Sequence, residues 1–579
     1  MQLKPSYALI GGFAALVAMP GVAGAATPIV ANPLCPVETA FYDPDQGKDI
    51  VVPPGFAVSV FASGLNMPTG IAFLGNSQKF QVYVLESGHG LPSKCNDQSS
   101  FGSGDFDPNN PFTPDILVFN QNGGTPIARL GKPTGPGVGF QPEGPAIDIA
   151  FERGLQGGRL FATDSNQATH TSGAGNNSSR IVTVDPTGKV TPFITGLPTG
   201  DHPTEQLAFK GKWIYWSQGS TTNSGVVGRD NGGKTGQQDI PCQDIKLSQN
   251  VFDSGGGVKT SGYSPFGTQR PGAIVKAFES ALHPGVCDGA ILRAELNAAH
   301  PENTIEPFSW GYRNGYAIRF APNDHPLAGG LLVGEDGPDE RGARPSNGAP
   351  DALHLARQND DGTPDYHGWP DRFGFLPSSQ AVFNPIGGPS DDLCQSPPNM
   401  PFPACVPTVF KEDVPIADVL AGPPQQITSP LAIEGADSSF TGIDFAPKSF
   451  VHDPVEEGAV LYALEGDFGF SPPNATSPAP EIGHEVKLIN FNQKSDQPLA
   501  LKIQSFARND TGDQAFISPD HPAAFNRPTN IRFGPDGCAY VVDYGAVRDA
   551  GADTHFVGAL DGPLVQIPGT GVVFKICRE

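Results

Sequence analysis

Pairs of short apolar runs recur along the chain, and the turn residues between them predict β-hairpins. In each copy the first run ends in Phe, a turn rich in Gly, Pro, Asn or Asp follows, and β-branched and aromatic residues dominate the second run. The six copies begin near Pro68, Gly144, Pro203, Asn314, Phe440 and Pro528. Further strand-like runs between the copies bring each unit to about four strands. The pattern therefore predicts an all-β chain that forms a six-bladed β-propeller of four-stranded blades with long inter-strand loops.

Long loops make the spacing of the copies irregular. Most of the excess length falls in residues 221–285 and 371–435, which are rich in Gly, Pro, Ser and Asn. These stretches are either a binding face on a rigid scaffold or disordered decoration. The run GFAVSVFASGL near the N-terminus and the run GVVFKIC at the C-terminus are expected to share one blade and close the ring.

Residues 1–25 are typical of a signal peptide. An apolar run covers about residues 8–19 and is followed by an A-x-A cleavage site that ends at Ala25. This run is too short to span a bilayer of about 30 Å. We expect a secreted protein, extracellular or periplasmic, with an N-terminal extension over residues 26–50 and the propeller over residues 51–579.

The cysteine count indicates disulfides, because an even number in an exported chain favours pairing. The eight cysteines are Cys35, Cys95, Cys242, Cys287, Cys394, Cys405, Cys538 and Cys577. Cys394 and Cys405 are expected to close one loop, and Cys538 and Cys577 to join strand-like segments near the C-terminus. The pairing of the other four stays open. The chain has no C-x-x-C, which argues against a zinc ribbon, a thioredoxin-like site and c-type haem.

The net charge of −24 argues against nucleic acid or an anionic membrane surface as a partner. An anionic ligand would need a local cluster of Arg, Lys or a bound cation. No G-x-G-x-x-G lies between a strand and a helix, and no G-x-S-x-G elbow is present. The sequence therefore gives no support to a nicotinamide-binding fold or to a serine hydrolase of that type.

Several motifs in order resemble the glucose/sorbosone dehydrogenase family. Residues 309–374 contain GYRN, FAP, GEDGP, DALHL and GWP. The opening VVPPGFAVSVFASGLNMPTGIAF, the segment GDHPTEQLAF and the segment NRPTNIRFGPDGCAYVVDYG resemble the first strands, the His-bearing segment and the last blade of that family. The similarity covers roughly residues 51–579. It implies a secreted six-bladed propeller that binds pyrroloquinoline quinone (PQQ) and calcium.

The resemblance assigns cofactor and metal roles to two motifs and one arginine. Arg313 and Asn314 in GYRN would lie at the quinone, where a planar guanidinium suits carboxylates; alternatively, Arg313 ties a turn through an ion pair. Gly337 and Pro338 in GEDGP would offer backbone carbonyls to calcium, which takes 6–8 oxygen ligands, or they form a plain turn. Arg527 stands where the family has a cofactor-binding arginine, or it is a surface residue at a blade turn.

His202 in GDHPTEQLAF is the candidate catalytic base. Oxidation of a sugar hydroxyl removes a proton and a hydride, and an imidazole with an ordinary pKa near ~6.5 suits the proton. The neighbouring Asp201 would orient the ring or hold a cation nearby. The alternative is a surface or structural histidine in a loop.

The sequence departs from the family at three places. Asp336 stands where familiar members carry a neutral polar group, and it is either an extra metal ligand or a source of repulsion for an anionic cofactor. The acidic stretch 465–467 stands where relatives commonly have a basic residue. Ser220 stands near a position at which some glucose-oxidising members carry an acid.

The predicted function is PQQ- and calcium-dependent oxidation of a sugar alcohol or aldehyde group, of aldose or sorbosone type. An external electron acceptor would be needed, because the chain has no haem motif. Two alternatives remain, since propellers host many activities. One is a calcium-assisted lactonase or other hydrolase. The other is a non-catalytic carbohydrate- or protein-binding propeller without the cofactor.

Overall fold

The computed structural model describes eighteen stretches of the chain. They are residues 29–32, 35–87, 114–130, 146–165, 177–228, 233, 237–255, 257–339, 342–344, 346, 349–374, 376–377, 416–466, 482–491, 500–512, 514–515, 520–549 and 564–579. The predicted signal peptide, Cys95, Cys394, Cys405 and Asp467 lie outside these residues.

Six sheets of four or five strands follow one another along the chain. Blade 1 contains Pro68–Asn76, Lys79–Glu86, Asp115–Asn120 and Ala128–Leu130. Blade 2 contains Ile149–Phe151, Leu160–Asp164, Ser179–Val184 and Val190–Leu197. Blade 3 contains Thr204–Lys210, Trp213–Gln218, Ala290–Glu295, Glu306–Trp310 and Asp365–Tyr366.

The second half of the ring has the same build. Blade 4 contains Asn314–Phe320, Leu331–Asp336, Ala352–Ala356 and Ala432–Ile433. Blade 5 contains Phe440–Phe445, Val460–Leu464, Glu485–Phe491, Ala500–Asn509 and Ile50–Val51. Blade 6 contains Pro528–Phe533, Ala539–Asp543, Gly571–Arg578 and Phe56–Leu65.

The first strand of each blade packs against the first strand of the next, and the first strands of blades 6 and 1 complete the circle. The protein is therefore a six-bladed β-propeller, as the six hairpin copies predicted. Two blades have a fifth strand where four were expected. The N-terminal strand Phe56–Leu65 pairs with the C-terminal strand Gly571–Arg578, so the ring closes as predicted.

Short elements complete the described structure. Two-stranded pairs are Ile29–Asn32 with Cys35–Phe41, Ile245–Lys246 with Ile274–Val275, Phe252–Asp253 with Lys259–Thr260, Arg372–Phe373 with Leu376–Pro377, and Val547–Asp549 with Leu564–Gln566. The 3₁₀ turns are Asp45–Gly47, Gly154–Gln156, Pro301–Thr304 and Lys448–Phe450. Within the described stretches, no helix is long and apolar enough to cross a membrane.

The core lies between neighbouring blades. At the junction of blades 6 and 1, the buried ring of Phe73 packs edge-on against Tyr540 with centroids 5.0 Å apart. Burial of one such side chain contributes about 1.5–3 kcal/mol, and every described junction has a comparable apolar cluster. The repeated contacts make the blades a rigid support for the residues at the mouth of the channel.

Two disulfides fix parts of this scaffold. Cys538 and Cys577 join the second and third strands of blade 6, as predicted. Cys242 and Cys287 are also bonded, which settles one pair among the four left open. Much of the predicted loop 221–285 is packed rather than decorative, because Val226, Ile240 and Tyr263 are buried within the core between blades 2 and 3.

Candidate functional site

Strand ends bring polar residues together at one mouth of the central channel. The first strand of each blade is antiparallel to the second, so the start of one lies beside the end of the other. In blade 4 Asn314 pairs with Asp336, and in blade 3 Thr204 pairs with Gln218. Residues just before a first strand therefore meet residues just after a second strand.

Arg313 is the centre of this polar group. Its side chain is buried, and Nη1 donates to the Gly337 carbonyl at 2.6 Å. Nη2 donates to Asp201 Oδ2 at 3.1 Å and to Asp339 Oδ2 at 2.5 Å. The backbone N–H of Arg313 donates to Glu335 Oε1 at 2.8 Å. The guanidinium is thus shared by two carboxylates and one carbonyl, and its buried Nε has no hydrogen-bond partner among the described residues.

His202 lies on the other side of the Asp201 carboxylate. Its Nε2 is 3.4 Å from Asp201 Oδ2, and its Nδ1 is 3.9 Å from Glu205 Oε1. The side chain is 20% exposed, so one part of the ring remains accessible to a small molecule. The structure therefore brings His202, Asp201, Arg313 and Gly337 into one continuous set of contacts, as the motifs predicted.

Backbone pairing holds the His202 loop in place. The N–H of Asp201 donates to Thr221 O at 2.9 Å, and that of His202 to Ser220 O at 3.1 Å. Ser220 in turn donates its N–H to Arg313 O at 2.8 Å. A Cβ at Gly219 would lie 2.2 Å from His202 Cβ, so only glycine permits this close approach. Ser220 thus acts at the site through its backbone.

Buried acids surround the Arg313 guanidinium. Burial raises the pKa of Glu205 and of Asp336 well above the ordinary carboxyl range, and other acids nearby add to both shifts. Burial likewise raises the pKa of Glu465 to about 7 and that of Asp351 to about 7. The acid at position 465 therefore belongs to the same electrostatic group, since Glu465 acts on both Glu205 and Asp336.

Three buried oxygens in this group have no hydrogen-bond partner among the described residues. They are Oδ1 of Asn314, Oδ1 of Asp336 and Oε2 of Glu205. Asn314 does donate its amide to Asp336 Oδ2 at 3.1 Å, which turns both Oδ1 atoms to other directions. Unpaired buried oxygens are costly unless a ligand satisfies them, and carboxylate and amide oxygens are typical calcium ligands.

The predicted metal residues Gly337 and Pro338 are both buried beside this group. The N–H of Gly337 donates to Asp351 Oδ1 at 2.6 Å, and its carbonyl accepts from Arg313. A Cβ at this glycine would lie 2.9 Å from the Pro350 carbonyl, so the tight turn needs glycine. Of the two carbonyls predicted to bind calcium, that of Gly337 therefore already accepts a hydrogen bond from the Arg313 guanidinium.

Arg527 lies at the equivalent position of blade 6 and is fully buried. Its Nε donates to the Val547 carbonyl and its Nη1 to the Gly466 carbonyl, both at 2.8 Å. Its charge lowers the pKa of Glu465 against the effect of burial. Arg527 is linked to the His202 group through Glu465, and its predicted role in cofactor binding stays a prediction.

A ring of acids was missed in the sequence. The second strands of four blades end on buried carboxyls, which are Glu86, Asp164, Asp336 and Asp543. The signal was present, because the hairpin copies contain LES, TDS, GED and VDY at corresponding places. Three of the four are held by an arginine or by backbone N–H groups, whereas Oδ1 of Asp336 has no hydrogen-bond partner in the part of the chain that the structure describes.

A separate group of side chains has the geometry of a metal site. Ligand atoms of Asp49, Asp510 and His521 lie within 4.8 Å of one another at the outer edge of blade 5, and no ion is present there. Since this edge faces away from the channel, the group has no part in the site around Arg313.

No protein-family model and no curated protein matches the chain. Solved structures are similar to it over most of its length. The calcium structure of the Trichoderma reesei Carbohydrate-Active Enzymes Family AA12 protein is 14% identical, covers 93% of this chain and 98% of its own, and gives a TM-score of 0.46. The apo form of the soluble aldose sugar dehydrogenase from Escherichia coli is 13% identical over 90% of this chain and 100% of its own, with a TM-score of 0.44.

A luciferin-regenerating enzyme is also similar, with 8% identity over 89% of this chain and 92% of its own and a TM-score of 0.25. At these identities the likeness concerns the fold alone, and the chemistry has to be argued from the residues of the site.

Proposed function

We propose that the protein is an oxidoreductase that removes two electrons from a hydroxyl or aldehyde group of a sugar, with calcium and PQQ as cofactors and an external electron acceptor. The observation that carries the proposal is the contact set that joins His202 through Asp201 to Arg313 and Gly337. A candidate base, a carboxylate, a cation and a backbone carbonyl meet there at the mouth of a rigid channel. Fold alone would support a hydrolase equally well.

The residues fit calcium. The unpaired oxygens of Asn314, Asp336 and Glu205 are hard donors, and calcium takes 6–8 of them. Burial raises the pKa of Asp336 and of Glu205 well above the ordinary carboxyl range, so ionisation of both is costly when no cation is present. A bound cation would offset that cost and satisfy the unpaired atoms.

The residues fit PQQ only together with the cation. PQQ carries three carboxylates, and the nearby Arg313 already contacts the carboxylates of Asp201 and Asp339. Without calcium the acids outweigh this arginine, and an anionic quinone would be repelled. The remaining Nε–H of Arg313 is a donor for such a ligand. When bound, the quinone supplies a two-electron acceptor.

The chain itself supplies the base. His202 would accept the proton of the sugar hydroxyl, and the Asp201 carboxylate beside Nε2 would orient the imidazole and stabilise its charged form. Arg313 fixes that carboxylate from the other side. His202 would thus take up the proton, and the quinone, when bound, would take up the two electrons.

Reconstitution tests the proposal. Purified protein with PQQ and Ca²⁺ should reduce a redox dye when aldoses are added, and omission of either cofactor should abolish the reaction. His202→Asn should lower kcat by about 10²–10⁴-fold, because general base catalysis contributes that much. His300→Asn is the matched control, since His300 is exposed and far from the channel mouth in the blade 3 loop.

Two other results would overturn the proposal. Hydrolysis of lactones without quinone would identify a hydrolase on the propeller. Retention on immobilised sugar without turnover, in protein that binds calcium but not PQQ, would identify a binding protein instead. Mass spectrometry of the secreted protein tests the proposed export separately, with Ala26 expected as the first residue.

A further inference from the structure

Behind Arg313, four buried titratable side chains form a continuous chain of short contacts. Glu335 Oε2 is 2.7 Å from His354 Nε2, His354 Nδ1 is 3.1 Å from His367 Nδ1, and His367 Nε2 is 2.9 Å from Asp365 Oδ2. All four residues are at most 9% exposed. The chain starts at Arg313, because the other oxygen of Glu335 accepts the backbone N–H of Arg313.

The chain crosses the boundary between two blades. Glu335 and His354 lie on the second and third strands of blade 4, whereas Asp365 begins the fifth strand of blade 3 and His367 follows that strand. Tyr312, next to Arg313, stacks on the His367 ring with centroids 4.7 Å apart. The packing fixes both imidazoles, so their protonation decides whether the contacts attract or repel.

The three contacts need one more proton than two neutral imidazoles supply. Three contacts require three hydrogens, but two neutral imidazoles between two carboxylates supply only two. If each Nε2–H donates to its carboxylate, the two Nδ1 atoms of His354 and His367 face each other as lone pairs at 3.1 Å. One further proton turns this repulsion into an N–H···N hydrogen bond. Imidazole takes that proton in preference to a carboxyl, because its ordinary pKa is about two units higher.

We propose that His354 and His367 share one extra proton and, through Glu335, act as positioning residues that hold the backbone of Arg313 in place. With the proton the chain is complete and carries one net negative charge. Without it the two Nδ1 atoms repel each other and the imidazoles separate, which displaces His354 and weakens the bond from its Nε2–H to Glu335. The effect on catalysis rests on the proposed function, whereas the shared proton does not.

The surroundings set the direction of the pH response. Burial lowers the pKa of His354 and the charge of His367 adds to this, while Glu335 and Asp365 oppose it. The hydroxyl of the packed Tyr312 stays neutral, because burial raises its pKa far above the ordinary range. Because the pKa of His354 is lowered overall, the pair holds its shared proton only on the acid side of the ordinary imidazole range. The hold on Arg313 therefore weakens as the pH rises.

Histidine-specific ¹⁵N NMR on the full chain without cofactors tests the shared proton. At pH 5 two imidazoles should carry protonated Nε2 atoms and one common Nδ1 proton with a strongly downfield ¹H signal. His354→Gln and His367→Gln should each remove that signal, and His300→Gln, an exposed control, should not. Two imidazoles that titrate independently, or a missing signal at every pH between 5 and 9, would overturn the proposal.

The pH profile of the PQQ- and calcium-loaded enzyme tests the positioning role. His367 makes no hydrogen bond to Arg313 or Glu335 among the described residues. His367→Gln should lower kcat/KM about 10-fold at pH 5 and remove the decline at higher pH that loss of the shared proton is expected to give wild type. A wild-type profile in this variant would overturn the positioning role. If the NMR signal is present but no dye reduction occurs under any condition, the proposed function fails and the shared proton stands.

Discussion

Arg313 and Arg527 occupy the same place in two repeats and have different partners. Each directly precedes the first strand of its blade, and each donates its backbone N–H to an acid near the end of the second strand of that blade, Glu335 or Asp543. Both guanidinium groups are buried. The repeat therefore provides the same local geometry twice, in blades 4 and 6.

The two arginines differ in the hydrogen-bond partners of their guanidinium groups. The described bonds of the Arg527 guanidinium include two to backbone carbonyls, those of Val547 and Gly466. The Arg313 guanidinium donates to one carbonyl, that of Gly337, and to the carboxylates of Asp201 and Asp339. A carboxylate side chain can exchange an arginine for a cation more readily than a carbonyl fixed in the backbone can. We therefore expect Arg527 to contribute more to the stability of the ring and Arg313 more to the proposed site.

The largest expected effect is on stability in blade 6. Arg527→Met leaves two buried carbonyls unpaired and removes the cation near Asp543, so the free energy of unfolding should fall by about 3–5 kcal/mol. Arg313→Met should cost less, about 1–2 kcal/mol, because its partner Asp339 is partly exposed and water can replace the guanidinium there. Urea denaturation with the disulfides intact measures both values.

The exposed Arg153 provides the control for this pair. Arg153→Met should change the free energy of unfolding by less than about 0.5 kcal/mol. A larger loss for Arg313→Met than for Arg527→Met would reverse the assignment of the two arginines.

The next largest effect is on activity in blade 4. Arg313→Lys keeps the charge but loses the planar fork that contacts Asp201 and Gly337 together, so kcat/KM for dye reduction should fall about 100-fold. The unfolding midpoint should stay close to that of wild type. Full activity in this variant would show that the fork has no part in the reaction.

A third prediction concerns a ring acid remote from Arg313. Burial raises the pKa of Glu86 to about 7 in the folded protein, against an ordinary value near ~4.3 in the unfolded chain. Ionised Glu86 therefore destabilises the folded protein, and the free energy of unfolding falls as the pH rises through the pKa of Glu86 in the folded state. Glu86→Gln keeps the acceptor for the Asn66 N–H and should stabilise the protein by about 1–3 kcal/mol at pH 9.

At pH 4 the same variant and wild type should unfold at the same denaturant concentration, because the wild-type carboxyl is then protonated in both states. Glu457→Gln is the control, since Glu457 is on the surface, and it should show no such pH dependence. An advantage of Glu86→Gln that is equal at pH 4 and pH 9 would exclude ionisation as its cause.

Most of the fold followed from the sequence because local pattern and repeat agree. The hairpin copies gave the first strands of all six blades, and the two terminal runs do form one blade. For the second copy the predicted start near Gly144 is too early, because the strand begins at Ile149. Regular alternation and turn residues determine these elements with little help from distant contacts.

The site was only partly predictable. Motifs placed His202, Asp201 and Arg313 in order, and the structure brings them into contact. No local pattern shows that Arg527 is held by the Val547 carbonyl, or that His354 meets a histidine from the neighbouring blade. Such partners depend on how loops return to the ring, which residue spacing does not encode.

The smallest effect distinguishes two acids of the ring. Within the described stretches, Oδ1 of Asp336 has no hydrogen-bond partner, whereas Asp543 accepts the backbone N–H groups of Asn526, Arg527 and Gly545. Asp336→Asn should therefore weaken Ca²⁺ binding about 10-fold, which corresponds to about 1.4 kcal/mol, and calorimetric titration measures it directly.

Asp543→Asn should lower stability but leave the calcium affinity of the folded protein as in wild type, because its oxygens are already used by the backbone. Equal losses of calcium affinity in both variants would mean that the whole ring, and not the part of it near Arg313, holds the cation. The comparison decides whether, among the acids at the ends of the second strands, only Asp336 of blade 4 binds calcium. Its Oδ1 is the atom without a hydrogen-bond partner in the described residues. Since the two variants make the same substitution at corresponding positions, a difference in calcium affinity between them reflects the different surroundings of the two carboxyls.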